Sequence, residues 1–212
     1  MTTFQTPNPI AVTVDVLSAT VTVIASDRTD TVVDVRPADA TKKGDVRAAQ
    51  QTKVDFAAGA LTVKTPKDWR TYTAFGGNPT IDVTIEVPTG SRLGGTAGVG
   101  RLLGVGEFGQ CDLEVAAGDI IVERTSGAVT AKVAKGDIRI GEASRGELRL
   151  ETAMGELEVG IHPGSAVRLE TSAMHGSVQN QMLPVANKSA DTVQVFARNS
   201  YGNIIVRHAT AA

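Results

Sequence analysis

Three carboxylates recur at one position of a repeated tripeptide, and their spacing is the best basis for chemistry in this chain. Asp119, Asp137 and Glu156 each follow a glycine and precede an aliphatic residue, in Gly118-Asp119-Ile120, Gly136-Asp137-Ile138 and Gly155-Glu156-Leu157. If the tripeptides stack, neighbouring carboxylates lie about one strand spacing apart, roughly 5 Å. Such a column could hold a cation, or supply the paired acids of glycoside hydrolysis. It could also sit solvated at a row of turns, with Lys135 and Arg139 offsetting the repulsion. Calcium sites gather more convergent oxygen ligands than one per repeat, which favours the solvated turn.

Other chemical signatures lack the context that gives them a mechanism. Gly104-Val105-Gly106-Glu107-Phe108-Gly109 spells G-x-G-x-x-G. That fingerprint holds a pyrophosphate only where a helix starts directly after it. Here an alternating, strand-like stretch follows, Cys111 to Val115, so the glycines read as turns and no cofactor is expected. His162, His175 and His208 share no metal-ligand spacing and read as surface histidines. Neither a Gly-x-Ser-x-Gly elbow nor a P-loop occurs in the sequence. Cys111, the single cysteine, excludes an intrachain disulfide and fits a small buried or half-buried strand position. No catalytic residue is assigned, and the expectation is a protein that is not an enzyme.

Two groups of residues are candidates for binding. Just before the tagged glycines runs the column Ala117, Lys135, Met154, His175 and Tyr201, whose later members are large and chemically varied. It reads as an exposed strip on which a partner could dock, or as a row of edge residues without a task. The segment from Lys67 to Gly77 gathers Trp69, Tyr72 and Phe75 within seven residues. Clustered rings can form a stacking platform for a sugar or peptide, or a hydrophobic lid over one flank of a sheet.

The elements that must position these groups are strands. The tag glycine, small or polar residue, aliphatic residue appears at Gly118, Gly136, Gly155, Gly176 and Gly202, with the basic variant Gly100-Arg101-Leu102 ahead of them. Successive tags are 18, 18, 19, 21 and 26 residues apart, which describes one unit copied with loop insertions. Within each unit the polarity alternates with period two, as in Asp137-Ile138-Arg139-Ile140 and Leu148-Arg149-Leu150. Each unit reads as strand, glycine turn, strand. The second position after the glycine is Leu102, Ile120, Ile138, Leu157, Val178 and Ile204, a column that stacked coils would bury as an aliphatic ladder. The expected fold is therefore all-β, a β-solenoid-like stack of short repeated coils over residues 91–208. A meander of hairpins is the rival, although the units lack the Asn-Gly and Asp-Gly turns that mark hairpins.

Residues 1–90 are β-rich without the tag, with alternating stretches Ile10 to Val16, Ala19 to Ile24, Thr31 to Val35, Leu61 to Val63 and Ile81 to Val87. Between them, Asp39 to Gln51 predicts one short helix with Asp39 capping its start and Gly44 weakening its interior. A helix there could cover an open sheet end. The whole chain, 1–212, is expected to form a single elongated domain.

Composition narrows the partners. Aromatics are 4% of the chain, so a core must come from Val, Ile, Leu and Ala. A net charge of -2 provides no field for a polyanion, and no nucleic-acid partner is expected. No run approaches the roughly 18 apolar residues of a membrane span, so membrane insertion is not expected. The first ten residues hold no Lys or Arg and carry Pro7 and Pro9, unlike a secretory signal; the expectation is a cytoplasmic location. The remaining candidate partner is an unidentified protein, with self-association through sheet edges as a further route.

Four stretches together carry a family likeness: Ala25-Ser26-Asp27-Arg28-Thr29-Asp30-Thr31-Val32, Trp69-Arg70 to Phe75-Gly76-Gly77, Ile81 to Ser91, and Ser200-Tyr201-Gly202-Asn203-Ile204. The chain resembles the bacterial β-strand-repeat family of unknown function that carries the adhesin-like label. The resemblance implies a repetitive β-solenoid-like fold, a bacterial source and no catalytic residues. With the repeat architecture and the lack of a catalytic constellation, the expectation is a non-enzymatic structural or protein-interaction module of that family, with an exported adhesin-like surface protein as the alternative. A carbohydrate-active β-helix enzyme would have to rest on Asp119, Asp137 and Glu156.

Overall fold

The computed structural model describes residues 1–66, 79–182 and 191–209. Apart from one helix, the described elements are strands. The first part of the chain forms β1 (Thr2–Gln5), β2 (Ala11–Ser26), β3 (Asp30–Pro37), α1 (Lys43–Gln51), β4 (Lys53–Ala57), β5 (Ala60–Lys64) and β6 (Ile81–Pro88). Then follow β7 (Arg92–Phe108), β8 (Cys111–Thr125), β9 (Val129–Lys135), β10 (Ile138–Ala143), β11 (Gly146–Met154) and β12 (Leu157–Ile161). The last four are β13 (Ala166–His175), β14 (Val178–Gln181), β15 (Thr192–Tyr201) and β16 (Ile204–His208). Two strands expected separately, Ile10 to Val16 and Ala19 to Ile24, are continuous as β2, in which the burial alternation shifts phase at Ser18 and Ala19, both buried. The short strands β1 and β4 had no equivalent in the sequence reading.

The repeated tags stack in register. Leu102 pairs with Ile120, Ile120 with Ile138 and Ile138 with Leu157, always in parallel strands. The stretches before the glycines form a second row, in which Leu93 pairs with Cys111, Cys111 with Val129 and Val129 with Leu148. Parallel pairing at these glycines is not hairpin geometry. Ile120, Ile138, Leu157 and Ile204 have no solvent exposure, and Leu102 keeps 4%. Each such side chain contributes about 1.5–3 kcal/mol by leaving water.

The order of the units in space differs from their order in sequence. Leu157 pairs with Ile204, and Ile204 in turn with Val178, so the last unit lies between the two that precede it. The second row agrees: Gly146 pairs with Val193, and Val193 with Val167. Physical chemistry accounts for the exchange. Ile204-Ile205-Val206 is the more apolar stretch and takes an inner rung, while Val178-Gln179-Asn180-Gln181 takes the edge, where Val178 is 45% exposed. A similar exchange occurs at the other end, where β5 and β6 pair outside β2 although they follow it in the chain.

All the antiparallel pairs in the described residues are at that first end. There β3 pairs with β6, β1 with β3, and β4 with β5. Helix α1 packs against β3, close to the end where an open edge was expected to need cover. Asp39 is not its N-cap. The helix starts at Lys43, and Asp39 instead closes its own turn, accepting the N–H of Thr41 at 2.9 Å and its hydroxyl at 2.6 Å. Gly44 correspondingly falls in the first turn. Asp45, buried in that turn, anchors the helix by accepting the backbone N–H groups of Asp39 and Thr80 at 3.2 and 3.0 Å.

The tagged glycines are required by close approach. A Cβ on Gly136 would sit 2.0 Å from the carbonyl oxygen of Gly118, and φ at Gly136 is +139°. The G-x-G-x-x-G segment is corrected in one respect: Gly104 and Gly106 lie inside β7, and only Gly109 falls between strands. The next element is strand β8, which removes the helix N-terminus that a pyrophosphate site needs.

Candidate functional site

The acidic column is a hydrogen-bonded ladder. Asp119 Oδ1 accepts the backbone N–H of Asp137 at 3.2 Å, and Asp137 Oδ1 accepts that of Glu156 at 2.8 Å. The exchanged unit continues it. Asn203 Nδ2 donates to Glu156 Oε1 at 3.2 Å, and Asn203 Oδ1 accepts from the Ser177 N–H at 3.0 Å. Arg101 pairs with the remaining Asp119 oxygen, Oδ2, at 3.0 Å. These acceptors serve the neighbouring turn, an arrangement that satisfies outward N–H groups where the chain reverses. Among the described residues, no three His, Cys, Asp or Glu side chains converge as a metal site would need.

The strip before the glycines is contiguous. Ala117 pairs with Lys135, Lys135 with Met154, Met154 with Tyr201 and Tyr201 with His175. Because of the exchanged unit, Tyr201 lies between Met154 and His175 rather than beyond them. The His175 and Tyr201 rings stack with centroids 4.7 Å apart and planes 14° from parallel. Met154 is 51% and Tyr201 55% exposed.

Val99 extends this strip at its other end, opposite Ala117. It precedes Gly100 in the basic variant of the tag, so the same column rule locates it, yet the sequence reading began the column at Ala117. Of the large apolar side chains exposed among the described residues, Val99, Met154 and Tyr201 are on this strip and Met174 is the neighbour of His175 in β13. Trp69, Tyr72 and Phe75 lie outside the described residues.

Beside the strip, the outward face of β9, β11, β15 and β13 carries an open cavity of about 530 Å³, lined by Lys132, Arg149, Glu151, Glu170, Phe196 and Arg198. The Arg149 guanidinium lies 5.0 Å from the centroid of the Phe196 ring, within cation–π range. Across neighbouring strands Glu114 pairs with Lys132, Lys132 with Glu151 and Glu151 with Arg198. This row of alternating sign was not seen in the sequence, because its members are separated by a whole unit or more. Cys111 is a rung of the core, 1% exposed, and burial pushes its thiol up to about 12.

No family model and no curated protein matches this chain. Solved structures do. A proposed cell adhesion protein from Clostridium sporogenes is similar over 98% of both chains, with a TM-score of 0.53 at 11% identity. A proposed adhesin from Bacteroides fragilis covers 97% of this chain and 95% of its own, with a TM-score of 0.42 at 11% identity. A proposed adhesin from Parabacteroides merdae covers 97% and 94%, with a TM-score of 0.34 at 14% identity. What the chain shares with the Clostridium sporogenes protein is its fold.

Proposed function

We propose that this chain is a β-solenoid of the adhesin-like β-repeat family, one elongated domain over residues 1–212, which acts as a non-enzymatic protein-interaction module. The observation that carries this reading is the strip Val99, Lys135, Met154, Tyr201 and His175. It places a flexible thioether and stacked aromatic rings on a rigid parallel ladder, side chains that protein interfaces favour. Support for the solenoid is the in-register parallel pairing of the tags, and support for one domain is a hydrophobic cluster that includes both Ile10 and Val206. The acidic column supports a structural rather than hydrolytic role, because its oxygens accept the N–H groups of the adjacent turn.

The test is affinity capture from host lysate and from the host's surface fraction, with the wild type and with a variant carrying Met154→Ala, Tyr201→Ala and His175→Ala. A partner retained by the wild type and lost by the variant is expected. Full capture by the variant overturns the strip. An exported, surface-attached adhesin is the second reading, favoured by the fold shared with the Clostridium sporogenes protein. Fractionation of the native host separates it from a cytoplasmic module.

A further inference from the structure

The two ends of the ladder are finished differently. The first carries antiparallel strands and α1, and its outer strand β4 presents Lys53 and Asp55 while β1 has four residues. Short or charged strands discourage edge pairing. At the other end, β13 pairs with β15 alone and β14 with β16 alone among the described residues. The core runs out there. Val193 and Val195 on β15 are 0% and 1% exposed, whereas their partners Val167 and Leu169 on β13 are half-buried.

The backbone of β13 is also directed outward. Ala166 donates its N–H to the carbonyl of Asp191, on the inner side. Alternation along a parallel ladder then turns the peptide groups of Val167, Leu169, Thr171 and Ala173 away from β15. Ten residues long, β13 is a substantial edge.

Charge selects how that edge can be covered. Arg168 and Glu170 flank Leu169 and form an exposed ion pair with each other at 3.8 Å, with side chains 74% and 56% exposed. If two copies pair antiparallel with Leu169 facing Leu169 of the second copy, each Arg168 faces a Glu170, twice over. The adjacent registers that also match the outward peptide groups place Glu170 against Glu170, or Arg168 against Arg168. Like charges directly opposite each other on paired strands are destabilising.

We propose that β13 is a dimerisation edge, on which a second copy of this chain pairs antiparallel about a two-fold axis at Leu169, with Arg168 and Glu170 forming reciprocal ion pairs. Such an interface is isologous and closes at two copies. It covers the open end of the core, and the differently finished first end takes no part.

Sedimentation equilibrium on the full chain tests this, with R168E, E170R and the double exchange R168E/E170R. The wild type is expected to be a dimer. Each single reversal brings like charges together at both pairs and is expected to weaken the dimer by roughly tenfold or more. The double exchange restores opposite charges and is expected to recover it, with melting of the monomer unchanged as the control for folding. The triple variant of the docking strip is expected to remain dimeric, so failure of the strip and failure of the edge are told apart. A monomer at every concentration, a dimer indifferent to both single reversals, or assembly that grows beyond two copies overturns the proposal.

Discussion

The Asp137 carboxylate accepts the backbone N–H of Glu156 at 2.8 Å, tying the turn of one unit to the turn of the next. Asp119 makes the same contact to Asp137 at 3.2 Å. Asp137→Ala removes an acceptor and leaves an N–H to water, so a loss of about 1 kcal/mol is expected for this exposed site. Asp137→Asn keeps an oxygen in place, and a smaller loss is expected. Urea unfolding midpoints at constant m-value measure both. Equal losses from Ala and Asn would show that charge, rather than the hydrogen bond, is what the position contributes.

Gly136 and Gly59 separate two reasons for glycine. At Gly136 a Cβ meets the Gly118 carbonyl oxygen at 2.0 Å, and the backbone there has φ of +139°. At Gly59 φ is +74°, but nothing lies within 4 Å of the Cβ position. Gly136→Ala must push two rungs apart and is expected to cost roughly 3 kcal/mol or more. Gly59→Ala meets only the conformational penalty, about 1–2 kcal/mol. Thermal unfolding of the two variants side by side reads the difference.

Most strand positions, the tag and the buried rungs Leu102, Ile120, Ile138, Leu157 and Ile204 were legible because period-two alternation and the glycine spacing are local properties of the chain, whereas Val178, expected in the same buried column, is 45% exposed. The exchange of the last two units was not. Nothing in the tag distinguishes Gly176-Ser177-Val178 from Gly202-Asn203-Ile204 as an edge or an inner rung; the difference is the apolar content of the residues that follow, Gln179-Asn180-Gln181 against Ile205-Val206. The strip was legible as a column but its order was not, since Tyr201 reaches Met154 only through that exchange. Asp39 misled for a related reason. A side chain suited to an N-cap is equally suited to closing a turn on Thr41, and the turn won.

Ile204 and Val178 test the exchanged order directly. Ile204 is fully buried between Leu157 and Val178, whereas Val178 is 45% exposed at the edge. Ile204→Ala is expected to cost about 2–5 kcal/mol, as for a buried large-to-small change. Val178→Ala is expected to cost less than about 1 kcal/mol, because little packing is lost at a half-exposed site. Stacking in sequence order would make Ile204 the terminal rung and reverse the ranking. Chemical denaturation of the two variants distinguishes the arrangements without a new structure.

Cys111 allows a prediction of reactivity and of pH dependence from one cause. It occupies a core rung between Leu93 and Val129, and burial pushes its thiol from the ordinary 9.0 up to about 12. The nucleophile is the thiolate, so at pH 8 the native protein is expected to react with a thiol reagent only on unfolding, at a rate set by opening of the ladder. Full and rapid reaction in denaturant is the control. The sign of the linkage follows from the raised value: the folded state favours the protonated thiol. Its contribution is complete below pH 9, declines as the unfolded thiol ionises, and is lost as pH rises through about 12. Other groups contribute to stability at alkaline pH, so the measurement is the difference between wild type and Cys111→Ala. That difference in unfolding free energy is expected to shrink steadily as the pH rises above 9. A difference independent of pH, or quick labelling of the folded protein, would place Cys111 outside the core rung assigned to it.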